Sequence, residues 1–278
     1  MTRGGPQTQG PGPTPPENVR QDDAGPTPSS LPENEPAQKF NRRAALAIGA
    51  ALFALGGLGL QYRASRALSY EPMDDLPGFR RLARSQSITS FNAATIGLGS
   101  SRPRLPPVAL ETARAVVASD IYTALHGPEA GDVPVSFFTS AGCPLCGPQA
   151  ERLRGLIPDI TLRPLAFFGP ASDRAARAMI AAPDPWALHD RLIGTAIVTD
   201  DPFIRAVADR SPTIPDPDTL FAAMDSPDTD ARLALNHALA SRLGIPGTPA
   251  IVIGRTIVVG MTARRDLARI LDDETARP

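Results

Sequence analysis

Apolar residues are unevenly spread along the chain, and their spacing divides it into four stretches. Residues 1–38 contain no Phe, Trp, Tyr, Ile or Cys, and Pro and Gly supply more than a third of them. So little apolar surface cannot offset the entropy of ordering a chain, and residues 1–43 are expected as a disordered tail. From Ala44 to Tyr62 the pattern inverts: 19 residues carry no charge, and most are Ala, Leu, Gly or Ile. As a helix this run is roughly 28 Å long, enough to cross the hydrocarbon core of a bilayer. It is expected as a single transmembrane signal anchor over residues 44–62. Arginines flank both ends, which fits a buried helix of a soluble domain poorly. A cleavable export signal is the stronger rival: Arg42-Arg43 and Leu46 loosely fit a twin-arginine pattern. However, Ala45 stands where that pattern prefers Phe, and no A-x-A site follows. Lys39, Arg42 and Arg43 balance Arg63, Arg66 and Arg80 across the segment, so charge does not orient it.

Residues 63–130 are expected as a linker and packing segment. "YEPMDDLPGFRRL" and "GLGSSRPRLPPV" are rich in Pro and Gly and suggest an extended connection with short strands. Between them and residue 130, Ala113, Val116, Val117, Ile121, Ala124 and Leu125 recur at helical spacing. That helix is expected to pack on the domain that follows.

From residue 131 onward the periodicities alternate. "VPVSFF" (133–138) and "DITLRPLAFF" (159–168) read as strands. Between them, Ala150, Leu153, Leu156 and Ile157 form a helical stripe, with the intervening polar residues expected to face water. Helices are predicted in "GPASDRAARAMIAA", "DPWALHDRLIG" and "DDPFIRAVADR". Another is predicted in "SPDTDARLALNHALASRLG", with Ser226 as N-cap, Pro227 at the first position and Gly244 as the stop. Ala250–Ile253 and Thr256–Val259 are apolar strands joined by Gly254-Arg255, a two-residue hairpin turn. A last helix follows, with Thr262 expected as its cap.

Charge adds little: 28 basic and 29 acidic residues give a net −1, so nothing points to a nucleic-acid surface. Cysteine usage adds much more. The only two cysteines stand in "FFTSAGCPLCGP" as Cys143 and Cys146. Two cysteines cannot build a disulfide framework, so the fold must rest on an apolar core. Cys143 is predicted at the junction of strand and helix, at or next to the helix N-terminus. Pro144 falls in the first turn, and Pro148 is expected to kink the helix because it cannot donate to the Pro144 carbonyl. Unpaired N–H groups and the helix dipole favour an anion there, and the thiolate is the reactive form of cysteine. Cys143 is expected as the exposed attacking thiol and Cys146 as the buried resolving thiol. Structural zinc needs about four ligands, and His126, His189 and His237 are scattered through helical patterns. Redox chemistry is favoured, with no metal, nucleotide or other cofactor beyond a redox-active Cys143–Cys146 disulfide.

The order of elements predicts an α/β, thioredoxin-like fold with a helical insertion. The segment 131–278 resembles the DsbA-type thiol:disulfide oxidoreductases of bacteria. The residues that carry the resemblance are the strand leading into "CPLC", and Ser172, Ala175-Ala176, Trp186 and His189-Asp190 of the middle block. "ASRLGIPGTPAIVIG" completes it. The resemblance implies that Thr248–Pro249 is a cis bond beside the CxxC and that Thr248 offers its backbone to an extended substrate peptide. Strongly oxidising members carry His where this chain has Leu145, and the Pro144-Leu145 dipeptide tunes the redox centre. The thiolate pKa of Cys143 is therefore expected above about 3.5 and closer to about 7. The potential is expected between about −120 and −270 mV. His189 and Trp186 are expected to pack rather than to catalyse.

The activity so implied is disulfide exchange with protein or peptide thiols, reset by an unidentified redox partner. The catalytic domain is expected in the periplasm, held to the inner membrane by the N-terminal anchor. Two alternatives stay open: a tethered reductant for a narrow client such as an apocytochrome or a copper-site thiol pair, and a non-enzymatic Cu(I)- or peptide-binding module.

Overall fold

The computed structural model describes residues 67–83, 105–128, 131–193 and 200–277. The expected tail and membrane anchor lie outside the described residues. Among the described residues, no helix is long and apolar enough to cross a membrane.

Two short strands, β1 (Tyr70–Pro72) and β2 (Arg80–Leu82), precede helices α1 (Pro107–Ser119) and α2 (Ile121–His126). Then come β3 (Val135–Thr139), α3 (Cys146–Arg154) and β4 (Ile160–Pro164). The helical block is α4 (Pro170–Ala181), α5 (Pro185–Ile193), α6 (Asp201–Ala208), α7 (Pro217–Met224) and α8 (Pro227–Arg242). β5 (Ala250–Ile253), β6 (Thr256–Val259) and α9 (Arg264–Thr275) come last. This is a thioredoxin-like α/β fold with a mixed sheet in the order β1-β2-β6-β5-β3-β4.

β3 runs parallel to β4 and antiparallel to β5, with Phe138 opposite Ala250. Alternate residues of each strand point to opposite faces, and both faces are covered. Phe138, Ala250, Val252 and Ile257 pack with Leu125, Leu233 and Leu239 on one side. Phe137, Ile251, Ile253 and Val258 pack with Leu153, Leu267 and Ile270 on the other. A third core joins the inserted helices through Met179, Leu188, Leu192, Ile204 and Met224. Each such side chain contributes about 1.5–3 kcal/mol of burial.

Part of the segment expected as a linker belongs to the sheet. β2 pairs in parallel with β6, and β1 pairs with β2 at the edge. The reason lies in distant residues. Glu274 on α9 accepts from the Arg255 amide (2.9 Å), the Thr256 hydroxyl (2.7 Å), Arg80 (2.8 Å) and Arg277 (2.8 Å). Tyr70 donates to Asp273 at 2.6 Å, and the Arg80 guanidinium lies 3.8 Å over the Tyr70 ring. Gly254, in the β5–β6 turn, has φ +53°, and a Cβ there would run into the Glu274 carboxylate.

One helix start agrees with expectation and one differs. Ser226 does cap α8, accepting from the Thr229 amide at 3.3 Å, with Pro227 behind it. Thr262 does not cap α9: the cap position is Ala263, without a side-chain bond, because Thr262 is fully buried and its amide donates to Gln149. α7 has no counterpart in the sequence reading. Asp216 caps it, accepting from the amides of Asp218 and Thr219.

Candidate active site

β3 ends at Thr139, and Ser140-Ala141-Gly142 turn the chain into the cysteines. The Cys143 amide donates to the Ser140 carbonyl (3.1 Å) and the Cys146 amide to the Cys143 carbonyl (3.2 Å). This tight turn places the two Cα atoms 5.5 Å apart, and the cysteines form a disulfide. Gly142 has φ +86°, and a Cβ on it would lie 3.5 Å from the Phe168 side chain. The loop after β4 therefore sits directly on the turn.

Several details correct the sequence reading. Cys146, not Cys143, opens α3, with Leu145 in the cap position. Pro148 consequently falls in the first helical turn, where its missing N–H has no intrahelical acceptor to lose, and the reason for a kink disappears. Cys143 is not exposed in the disulfide form. It is 2 % exposed and Cys146 0 %, since Phe168, Trp186 and Ile193 belong to the apolar cluster around them. Pro144 is exposed and Leu145 half-buried. Gln149, which precedes the helical stripe and for which the sequence carried no expectation, is fully buried.

The Thr248–Pro249 peptide bond is cis. The Phe138–Ala250 pairing sets its place: Pro249 precedes Ala250 and Thr139 follows Phe138, so both loops leave the sheet at the same end. Gly260, beyond β6, donates to the Pro249 carbonyl at 2.8 Å and closes that end. Thr248 is 6 % exposed, and its hydroxyl has no hydrogen-bond partner among the described residues. The structure thus brings Cys143, Pro144, Leu145, Cys146, Thr248 and Pro249 to one end of the sheet.

Polar pairs behind the turn fasten it to the inserted helices, and the sequence reading did not foresee the first of them. Ser140 Oγ and Ser172 Oγ, on α4, are 2.9 Å apart. Thr139 Oγ1 and His189 Nε2, on α5, are 3.2 Å apart, while His189 Nδ1 is 3.2 Å from Asp190 Oδ1. A neutral ring with its proton on Nδ1 satisfies both contacts. Burial pushes the His189 pKa down, against the opposing pull of Asp190. Trp186 stacks on Phe137 with centroids 6.0 Å apart and donates its Nε1 proton to the Ile160 carbonyl at 3.1 Å. His189 is fully buried and Trp186 half-buried against Phe137, which suits packing.

Residues 159–272 match the DSBA-like thioredoxin domain family. The chain carries a DsbA-like thioredoxin domain. The family match starts after α3, so the cysteine turn is an observation independent of it. DsbA-like proteins are thiol-disulfide oxidoreductases acting on protein thiols and disulfides, and this is the enzyme class of the chain. They work through a redox-active disulfide without an external cofactor. Among the described residues, no group of three or more His, Cys, Asp or Glu side chains is placed to hold a metal ion.

Solved structures similar to the DsbA-like domain include a thioredoxin-like oxidoreductase from Silicibacter pomeroyi, 29 % identical, with a TM-score of 0.49. That alignment covers 53 % of this chain and 89 % of the other. The catalytic domain of Proteus mirabilis ScsC is 28 % identical with a TM-score of 0.45, over 59 % and 99 % of the two chains. The thiol-disulfide exchange protein alpha-DsbA2 from Wolbachia pipientis is 19 % identical with a TM-score of 0.49, over 60 % and 98 %. No curated protein matches the chain.

Proposed function

We propose that the chain exchanges disulfides with extended segments of client proteins in the bacterial periplasm, held at the inner membrane by its apolar segment 44–62. The observation that carries this reading is the placement of the Cys143–Cys146 disulfide at the same end of the sheet as the cis Thr248–Pro249 loop. A client strand laid along that loop bonds to the Thr248 backbone, and Pro249 has no N–H to compete for the sulfur. In the oxidising direction a client thiolate attacks Cys143 Sγ. The client–Cys143 bond forms as Cys143–Cys146 breaks, and the electron pair leaves on Cys146. A second client thiolate then attacks the client sulfur and releases Cys143, so two electrons pass to the enzyme and one disulfide to the client. In the reducing direction Cys143 attacks the client disulfide and Cys146 resolves the mixed disulfide.

One observation favours the reducing direction. The residues packed around the cysteines, including Leu145, Phe168, Trp186 and Ile193, are apolar, and apolar surroundings raise a thiolate pKa. The full-length chain titrated against glutathione, with thiol trapping, decides between the directions. A potential near about −120 mV marks a disulfide donor, and one near about −270 mV marks a reductant. If Cys143 and Cys146 form no intramolecular disulfide at any glutathione ratio, the redox reading is wrong and thiolate binding of Cu(I) takes its place.

A further inference from the structure

Gln149 carries a buried donor with nothing to donate to. It lies three residues after Cys146 on α3, and both residues are 0 % exposed. Residues three apart on a helix are neighbours, and helical side chains lean toward the N-terminus, so the Gln149 amide extends over the turn that begins with Cys146. Its far end is fixed. Gln149 Oε1 accepts the Thr262 amide proton at 2.9 Å, and that contact identifies which end of the side-chain amide is the oxygen. Thr262 lies two residues beyond Gly260, whose N–H holds the Pro249 carbonyl, so the amide is held at the disulfide end of the sheet. Nε2 has no hydrogen-bond partner among the described residues. An unpaired buried donor is costly, and folded proteins rarely keep one without a use.

Resting on the oxidoreductase reading above, we propose that Gln149 is a catalytic hydrogen-bond donor whose acceptor, the Cys146 thiolate, exists only once the disulfide is open. When a client thiolate bonds to Cys143 Sγ, the electron pair of the broken bond is left on Cys146. Cys146 is fully buried in the apolar cluster that also holds Phe137, Ala150 and Leu153. An anion enclosed in this way is strongly disfavoured unless hydrogen-bonded, and a bond to an ionised acceptor is roughly twice as strong as a neutral one. Nε2 is the buried, uncommitted donor one helical step away. By lowering the basicity of the departing thiolate it speeds opening, since a less basic thiolate leaves faster. In the reverse direction the same bond keeps Cys146 deprotonated for resolution.

The test compares the full-length wild-type chain with Gln149→Glu and Gln149→Met. Glu keeps an oxygen for the Thr262 amide but replaces the donor by a second oxygen; Met keeps the length and removes both polar ends. Opening of the oxidised chain by reduced glutathione is timed, and the titration of Cys146 is read from thiolate absorbance in a Cys143→Ser background. Both variants are expected to open at least tenfold more slowly, with the Cys146 midpoint raised by one pH unit or more, and Glu the more affected. A purely structural role would lower thermal stability without moving that midpoint. Rates within twofold of wild type and an unmoved midpoint, as when solvent already occupies Nε2, would overturn the assignment while leaving the enzyme reading intact. A wild-type chain that forms no disulfide at all would sink both.

Discussion

The hydroxyl oxygens of Ser140 and Ser172 meet at 2.9 Å, and this contact joins the first residue after β3 to the first turn of α4. The Phe167 amide also points at Ser140 Oγ, at 3.4 Å. The turn carrying Cys143 is thereby tied to the insertion and to the loop after β4. Both hydroxyls are buried, and without Ser172 the Ser140 hydroxyl keeps only its longer contacts, to the Ala141 carbonyl and the Phe167 amide, both 3.4 Å. Ser172→Ala is expected to cost about 1–2 kcal/mol. It should lower the urea midpoint, and the Cys143 loop should gain faster amide exchange while distant β6 does not. Uniform loss of protection across the sheet would show that the pair supports the whole fold and has no particular role at the turn.

Leu145 occupies the cap position of α3, between the two cysteines, and offers no donor. Leu145→His is expected to add an imidazole that stabilises the Cys143 thiolate and therefore the reduced form. The glutathione equilibrium should shift toward the dithiol by about tenfold, which for two electrons is a potential about 30 mV less negative. The Cys143 titration midpoint should fall in parallel. If the midpoint falls and the equilibrium stays put, the dipeptide does not set the potential in this chain.

Much of this architecture was legible in local sequence. The short apolar runs of β5 and β6 around Gly254-Arg255, the Ser226–Pro227 start of α8 and the spacing Cys143–Cys146 each carry their own physical cause within a few residues. The rest was settled by residues far away in the chain. Short strands are expected in "YEPMDDLPGFRRL", and β1 and β2, three residues each, are there, but their place at the edge of the sheet was not legible. Their pairing depends on Glu274 and Asp273, nearly 200 positions later. Burial of Cys143 depends on cover such as Phe168, which the apolar run 159–168 assigns to a strand although the strand ends at Pro164. Gln149 carries no local signal of its burial because the helix pattern alone cannot show that Thr262 will arrive above it. For α7 the local signal existed, Asp216 followed by Pro217, but it was submerged in the proline-rich run "SPTIPDPD".

Histidine burial predicts a pH dependence of stability. Burial pushes the His126 pKa down to about 4, helped by Arg163 and Arg255 and opposed by its bond to the Gly254 carbonyl. Burial likewise pushes His237 down to about 4, and its Nε2 accepts the Ala166 amide proton at 3.1 Å. In the unfolded chain both rings take up protons near about pH 6.5, so between there and about 4 the unfolded state binds more. Their contribution is complete above that range and is lost as the pH falls through it. The slope is up to about 1.4 kcal/mol per pH unit for each ring. Urea midpoints at pH 7 and pH 5 should differ accordingly, and His126→Gln with His237→Gln should flatten the difference. An equal drop in the double variant would assign the acid sensitivity to buried His189 or to carboxylates instead.

Glu274 predicts the opposite of the active-site variants: large loss of stability, little change in chemistry. Burial alone would push its carboxyl up, but the Arg255 amide, the Thr256 hydroxyl and Arg277 together hold it below its ordinary value. Its contribution is therefore present at neutral pH and is lost as the pH falls through that lowered value. Glu274→Gln removes the charge that pairs with Arg80 and Arg277 and is expected to cost about 3 kcal/mol. Amide exchange in β1 and β2 should rise first, because Arg80 of β2 loses its charged partner on α9, which leaves the Tyr70–Asp273 bond to tie the pair to that helix. The hub sits at the Gly254–Arg255 turn, whereas the disulfide lies at the opposite end of β5, beside Pro249. Opening by glutathione should thus stay within twofold of wild type at temperatures where the variant is folded. A tenfold slower reaction there would mean that the two N-terminal strands are coupled to the redox turn through the sheet.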